Sequence, residues 1–164
     1  MADNKKYFPN EDEDFYFGKT SVSLEFYVEK AANYEEFCRM WSDEMLDSDV
    51  RIGSYLRELL DKYDKNKSTV SEDAFLATAY VGNVVNGHLK NPDRDALISI
   101  CFAIGATFEE TQKLLKYAGH QPLYVRRKRD VIIWFGLTKG QSLCEVDDAI
   151  IRNGLAPIIN PKNK

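Results

Sequence analysis

No apolar run in the 164 residues approaches the roughly 20 that a membrane-crossing helix requires. The first residues are polar and acidic, without the apolar stretch of a secretory leader, so a cytoplasmic protein with no membrane partner is expected. Cysteine is scarce: Cys38, Cys101 and Cys144 are odd in number and far apart, and no CxxC pair occurs. With His88 and His120 as the only histidines, the ligands for a zinc site are lacking. Cys101 and Cys144 lie in apolar helical patterns and read as small buried thiols. Also absent are a phosphate-cradling glycine loop, HExxH and GxSxG. Acidic pairs such as Asp12/Asp14 and Asp147/Asp148 are common on surfaces and do not by themselves indicate acid–base chemistry. These absences predict a non-enzyme that needs no cofactor and no metal. Almost no segment alternates with period two, and no internal repeat stands out, so the expected fold class is all-α.

What is present is enough apolar material, 44% of residues, for one domain with a real core. The net charge of −4 is unevenly spread. Residues 1–50 hold 5 Lys/Arg against 13 Asp/Glu, a balance of −8, whereas residues 51–164 hold 17 against 13, a balance of +4. The body is therefore mildly basic, compatible with a nucleic-acid partner without demanding one.

Along the chain, residues 1–20 form an acidic segment rich in aromatics, and 21–50 an N-terminal helical extension. Within the extension, Leu24, Tyr27, Val28 and Ala31 recur at helical spacing. Tyr34 to Met45 follows, with Asn33 as its cap and Glu35-Glu36 in the first turn. Arg51 to Asp64 is the clearest amphipathic helix, with Ile52, Tyr55, Leu56, Leu59 and Leu60 on one face. Next come a short helix capped by Ser68, a turn at Phe75-Leu76-Ala77, and a helix capped by Thr78 that ends at Asn86-Gly87. Pro92 would open a helix to Ile104, and Thr107 with Glu110 forms a capping box for a helix to Tyr117. The break at residues 118–122 leads to a C-terminal extension, 122–164, with helices expected at Arg126–Leu137 and Ser142–Asn153. Trp41, Trp134 and Phe135 are expected to pack between the two extensions, or alternatively to support pairing of two chains.

The rhythm from Lys67 to Asp95 is helix, tight turn, helix, polar loop, helix, the layout in which the second helix can enter a DNA groove. The residues YLRELLDKY, the Lys67-Ser68 start, and the run from Asn86-Gly87 to Asn91-Pro92-Asp93-Arg94-Asp95-Ala96-Leu97 carry a resemblance. The block from Phe102 to Ile158 continues it. Over Arg51 to Pro157, about two-thirds of the chain, the sequence resembles phage-repressor-like (XRE-type) helix-turn-helix proteins. The resemblance implies a lambda-repressor-like core at residues 51–121 with added N- and C-terminal helices, acting as a DNA-binding transcriptional regulator. It implies that Lys67, Ser68, Thr69, His88 and Lys90 meet the phosphates of double-stranded DNA and that Thr78, Ala79, Tyr80 and Asn83 face bases. Pairing into a homodimer is an alternative that the resemblance leaves open, because such proteins commonly pair to read two half-sites.

Several features depart from the family pattern. The turn has Phe75 in place of the usual glycine, and the loop carries an extra residue near Leu89. The first helix carries Glu72 and Asp73, and the second has no Arg or Lys. These departures suit a competing reading, a module that keeps the fold and binds a protein partner. Lys62, Lys65 and Arg94 add cations around the expected groove-facing edge. The densest positive run, Arg126-Arg127-Lys128-Arg129, has three readings: a second phosphate patch, a solvated surface run, or a dock for the acidic N-terminal segment.

Overall fold

Apolar side chains at three- and four-residue spacing become the buried faces of helices, and among the described residues no strand occurs. The computed structural model describes residues 28–41 and 48–160, and the chain divides into two units, Met1–Leu46 and Asp47–Lys164. The expectations placed on residues 1–27, including the acidic segment, lie outside the described residues.

In the first unit, residues 28–30 are helical and α1 spans Tyr34–Trp41. Asn33 caps it: its Oδ1 accepts from the Glu36 N–H at 2.8 Å, while Glu36 Oε2 accepts from the Ala32 N–H at 2.9 Å. Phe37 is buried; the side chains of Cys38, Met40 and Trp41 lie outside the described residues.

The second unit holds α2 (Ser48–Lys62), α3 (Lys67–Asp73), α4 (Tyr80–Val85), α5 (Arg94–Ile104), α6 (Phe108–Tyr117), α7 (Lys128–Lys139) and α8 (Leu143–Arg152). Helix α2 packs on α4 and α6, α3 on α4 and α5, α5 on α6 and α8, and α7 on both α6 and α8. One core joins them, running from Ile52 and Leu56 through Leu97 and Leu114 to Ile133, Val146, Ile150 and Ile158. The C-terminal helices thus share the interior of the preceding ones. Trp134 stacks on Phe108 of α6 with ring centroids 3.9 Å apart. Phe135 is exposed.

The expected capping boxes are present at Thr107/Glu110 and Ser142/Glu145. Gly105 (φ 82°) and Gly140 (φ 66°) end α5 and α7 in the left-handed conformation. Besides that of α4, four helix starts differ from expectation. Helix α2 begins at Ser48 rather than Arg51. Asn66, not Ser68, caps α3, its Oδ1 accepting from the Ser68 N–H at 2.8 Å. Asp93 caps α5 through the Asp95 N–H at 3.1 Å, which places Pro92 outside the helix. Helix α7 starts at Lys128, two residues beyond Arg126. In the first and last of these the hydrophobic period located the helix but not its first turn; at α3 an amide two residues earlier took the cap, and at α5 a carboxylate one residue beyond Pro92 did.

The two cysteines in apolar patterns also part ways. Cys101 is fully buried, and loss of water pushes its thiol up to about 12. Cys144 is exposed, contrary to expectation, because it falls on the outer side of α8 between the inward-facing Leu143 and Val146.

Candidate nucleic-acid interface

Helices α3 and α4 are joined by a six-residue connection that one buried hydroxyl holds in place. Val70, Ser71 and Ala74 face inward from α3, and Val81, Val84 and Val85 from α4. Ser71 Oγ donates to the Lys67 carbonyl (2.9 Å) and accepts from the Val81 N–H (3.1 Å). It thereby satisfies one of the N–H groups at the start of α4, which has no side-chain cap. Thr78 does not cap α4; the N-cap position belongs to Ala79, and the Tyr80 N–H reaches the Ala77 carbonyl instead at 2.8 Å. In the connection Phe75 adopts φ +58°, the left-handed conformation that glycine usually supplies at such a turn. Its ring rests partly buried on the core.

From behind, α2 seats α4. A Cβ on Gly53 would lie 2.8 Å from the Val85 carbonyl oxygen and 3.1 Å from that of Val84, so the two backbones touch where a side chain has no room. No reading of the sequence singled out Gly53, although a glycine inside an amphipathic helix is itself a sign of close approach.

Thr78, Ala79 and Asn83 are exposed at this edge, and so are Lys67, Ser68 and Thr69 at the start of α3. Tyr80 differs from the other residues expected to face bases. It is half-buried, burial pushes its phenol up, and its hydroxyl accepts from the Asp93 N–H at 3.2 Å. The ring thus ties α4 to the start of α5. His88 and Lys90 are exposed in the following loop. In the same loop the Leu89 N–H donates to the Asn83 carbonyl (3.0 Å) while its side chain packs on the core.

The charge around this edge is small. Between residues 67 and 91, Lys67 and Lys90 balance Glu72 and Asp73. Lys62 pairs with Glu110 at 2.6 Å, and Tyr63 donates to the same carboxylate at 2.8 Å. Burial pushes the Glu110 carboxyl up, but hydrogen bonds from Lys62, the Thr107 N–H and Tyr63 outweigh it and leave it below the ordinary carboxylate value. Arg94 points inward. Its Nη2 meets both Asp130 oxygens at 3.1 Å, and its Nε donates to the Gln121 carbonyl at 2.9 Å. His120 Nε2 lies 2.8 Å from the Pro92 carbonyl, which can only accept, so that nitrogen carries the proton.

The basic run at residues 126–129 divides. Arg129 takes both Asp95 oxygens at 2.8 and 2.9 Å and holds the Ala156 and Pro157 carbonyls at 2.7 and 3.1 Å. Arg126, Arg127 and Lys128 are exposed. The pairs Arg94–Asp130 and Arg129–Asp95 had one available signal, the repeated dipeptide Arg94-Asp95 and Arg129-Asp130 at two helix starts.

Among the described residues no helix is long and apolar enough to cross a membrane, and no group of three or more His, Cys, Asp or Glu side chains could hold a metal ion. Comparison with family models, curated proteins and solved structures finds no match for the chain.

Proposed function

We propose that the second unit is a DNA-binding module of the lambda-repressor-like helix-turn-helix type, acting in transcriptional regulation, with α4 as the helix presented to the groove. The observation that carries this reading is the division of α4 and its approach. Val81, Val84 and Val85 are buried, while Thr78, Ala79 and Asn83 are exposed on a backbone clamped by Ser71 and Gly53. Base reading needs donors, acceptors and methyl groups rather than charge. Asn83 suits an adenine edge, and Thr78 or Ala79 suits a thymine methyl. Lys67, Ser68, Thr69, His88 and Lys90 supply the phosphate contacts in this reading, and Tyr80 acts as a brace.

The test is fluorescence anisotropy of a labelled duplex titrated with the full chain across a salt series. Binding that weakens with salt, and that Asn83→Ala makes less sequence-selective, supports the reading. No salt-dependent binding at micromolar protein removes it.

A second reading, a module that keeps this architecture for a protein partner, is favoured by one observation. The segment 67–91 has no net positive charge, and the nearest arginine, Arg94, is withdrawn into an internal pair. It predicts that the titration fails while the exposed edge of α4 still engages a partner.

A further inference from the structure

The cations missing from the helix-turn-helix are found elsewhere on the same unit. The segment Tyr124–Lys128 joins α6 to α7, and its outward face is unlike any other described stretch. Arg126, Arg127 and Lys128 are consecutive and exposed, and no ion pair ties them to a described carboxylate. Beside them Tyr124 is 46% and Val125 63% exposed, in a region where neighbouring residues turn inward.

At the helix start itself the arrangement is electrostatically unfavourable. Three positive side chains crowd the start of a 12-residue helix, the end where the backbone dipole repels cations. Arg127 at the N-cap offers no side-chain hydrogen bond to relieve the helix end. Yet the segment is held firmly. The Tyr124 N–H donates to Asp130 Oδ2 at 3.1 Å, and the Arg127 N–H to the Tyr124 carbonyl at 3.0 Å. Gln112 pairs with both backbone groups of Leu123, donating at 3.0 Å and accepting at 2.7 Å. Arg94 grips the carbonyl of Gln121. The next two residues, Arg129 and Asp130, are used up inside, so the run sorts into an inward brace and an outward cationic face.

We infer that Tyr124–Lys128 is a second DNA-backbone contact, and that it carries more of the phosphate charge than the helix-turn-helix itself. This rests on the DNA-binding reading above. The partner is a phosphodiester backbone because the face offers closely spaced cations, without an ion-pair partner among the described residues, on a braced support. Counterion release from such cations supplies sequence-independent affinity, which the charge-balanced segment 67–91 does not. Tyr124 adds a hydroxyl at the rim, a group that commonly hydrogen-bonds phosphate oxygens. Division of labour follows: α4 reads bases, and the start of α7 holds the strand.

The full chain is titrated onto a labelled random-sequence duplex between about 50 and 200 mM salt, the range over which phosphate contacts change affinity steeply. Three proteins are compared: the wild type, Arg126→Gln/Arg127→Gln/Lys128→Gln, and Lys67→Ala/Lys90→Ala. The triple variant is expected to lose roughly 2.7 from the slope of log affinity on log salt, at about 0.9 per phosphate, and the double variant at most about 1.8. Arg126→Lys/Arg127→Lys keeps the charge and is expected to keep the slope. Thermal melting of each variant reports folding; the triple variant is expected to melt no lower than wild type, because it relieves repulsion at a helix N-terminus. Wild-type binding with an unchanged slope in the triple variant overturns this inference and leaves the DNA reading standing. No salt-dependent binding by the wild type overturns both.

Discussion

Arg94 and Asp130, 36 residues apart in the chain, meet in a two-oxygen ion pair that is mirrored by its neighbours. Asp95 and Arg129, 34 apart, form the reciprocal pair. The same dipeptide, Arg-Asp, thus stands at the start of α5 and of α7, and each arginine takes the other's aspartate. The knot has no net charge. It fixes the backbone on both sides: Arg94 and Asp130 hold the 121–124 segment, and Arg129 holds the carbonyls of Ala156 and Pro157. Two helices adjacent to the candidate interface are therefore locked by polar contacts as well as by the shared core.

The two halves of this knot differ in burial, and that difference orders their mutants. Asp130 is almost wholly buried whereas Asp95 retains a third of its exposure, and the two arginines are alike, each about a fifth exposed. Removing one partner of a buried pair leaves an uncompensated charge, at a cost of about 3–5 kcal/mol. Asp130→Ala also strands the Tyr124 N–H. Urea unfolding is expected to show a loss of about 3 kcal/mol or more for Asp130→Ala, and distinctly less for Asp95→Ala, where water replaces the partner. Equal losses would contradict the burial difference.

Ser71→Ala is a smaller change with a more local result. It removes the acceptor for the Val81 N–H in a buried setting, and an unsatisfied buried donor costs about 1–3 kcal/mol. Hydrogen exchange is the informative measurement. Amide protection at Val81 should fall further than at Leu97 or Leu114, which sit in the same core without depending on Ser71. Uniform loss of protection would mean that the hydroxyl stabilises the fold generally and does not hold α4 in particular.

These contacts mark where the sequence was legible and where it was not. The amphipathic face of α2 and the capping box of α6 rest on interactions within a few residues, so their pattern is written locally. The Asn66 and Asp93 caps were misplaced by two residues or fewer, because several cap-forming side chains compete in one short stretch. Arg94 and Arg129 were read as surface cations since nothing nearby in sequence reveals a partner more than 30 residues away. The tie of Tyr80 to Asp93 is likewise hidden in the sequence, because it appears only once the loop folds back. The exposure of Thr78, Ala79 and Asn83 agrees with the edge expected of them, but exposure alone does not identify what they touch.

The Glu110 carboxylate links α6 to α2 and gives stability a pH dependence. Its folded value lies below the ordinary 4.5, with Lys62, the Thr107 N–H and Tyr63 outweighing burial. A carboxyl depressed in the folded state contributes fully above its unfolded value, and that contribution is lost as pH falls through the folded value. Unfolding free energy is therefore expected to decline as pH drops below about 4.5. Glu110→Gln, which retains much of the capping geometry, should be less stable at neutral pH and flatter through this acid range. An acid limb of undiminished steepness in Glu110→Gln would assign the decline to other carboxylates.

Two buried glycines give opposite predictions for rescue, and the contrast tests how α4 is seated. A Cβ at Gly136 would clash with Val146 Cγ2, and one at Gly53 would come within 2.8 Å of the Val85 carbonyl oxygen. Alanine favours helix over glycine by about 1 kcal/mol, but overpacking costs about 1–3, so both Gly136→Ala and Gly53→Ala should destabilise. In the first case the obstacle is a methyl group. Val146→Ala removes it, and the double variant should be more stable than the sum of the single losses, by about 1 kcal/mol or more. In the second the obstacle is backbone. Neither Val84→Ala nor Val85→Ala clears it, so α4 itself must shift. If α4 presents Asn83 and Thr78 to DNA, Gly53→Ala should weaken duplex binding beyond what its melting temperature predicts, while Gly136→Ala, far along the chain in α7, should leave binding by the folded protein unchanged. Equal effects on binding would separate the seat of α4 from recognition.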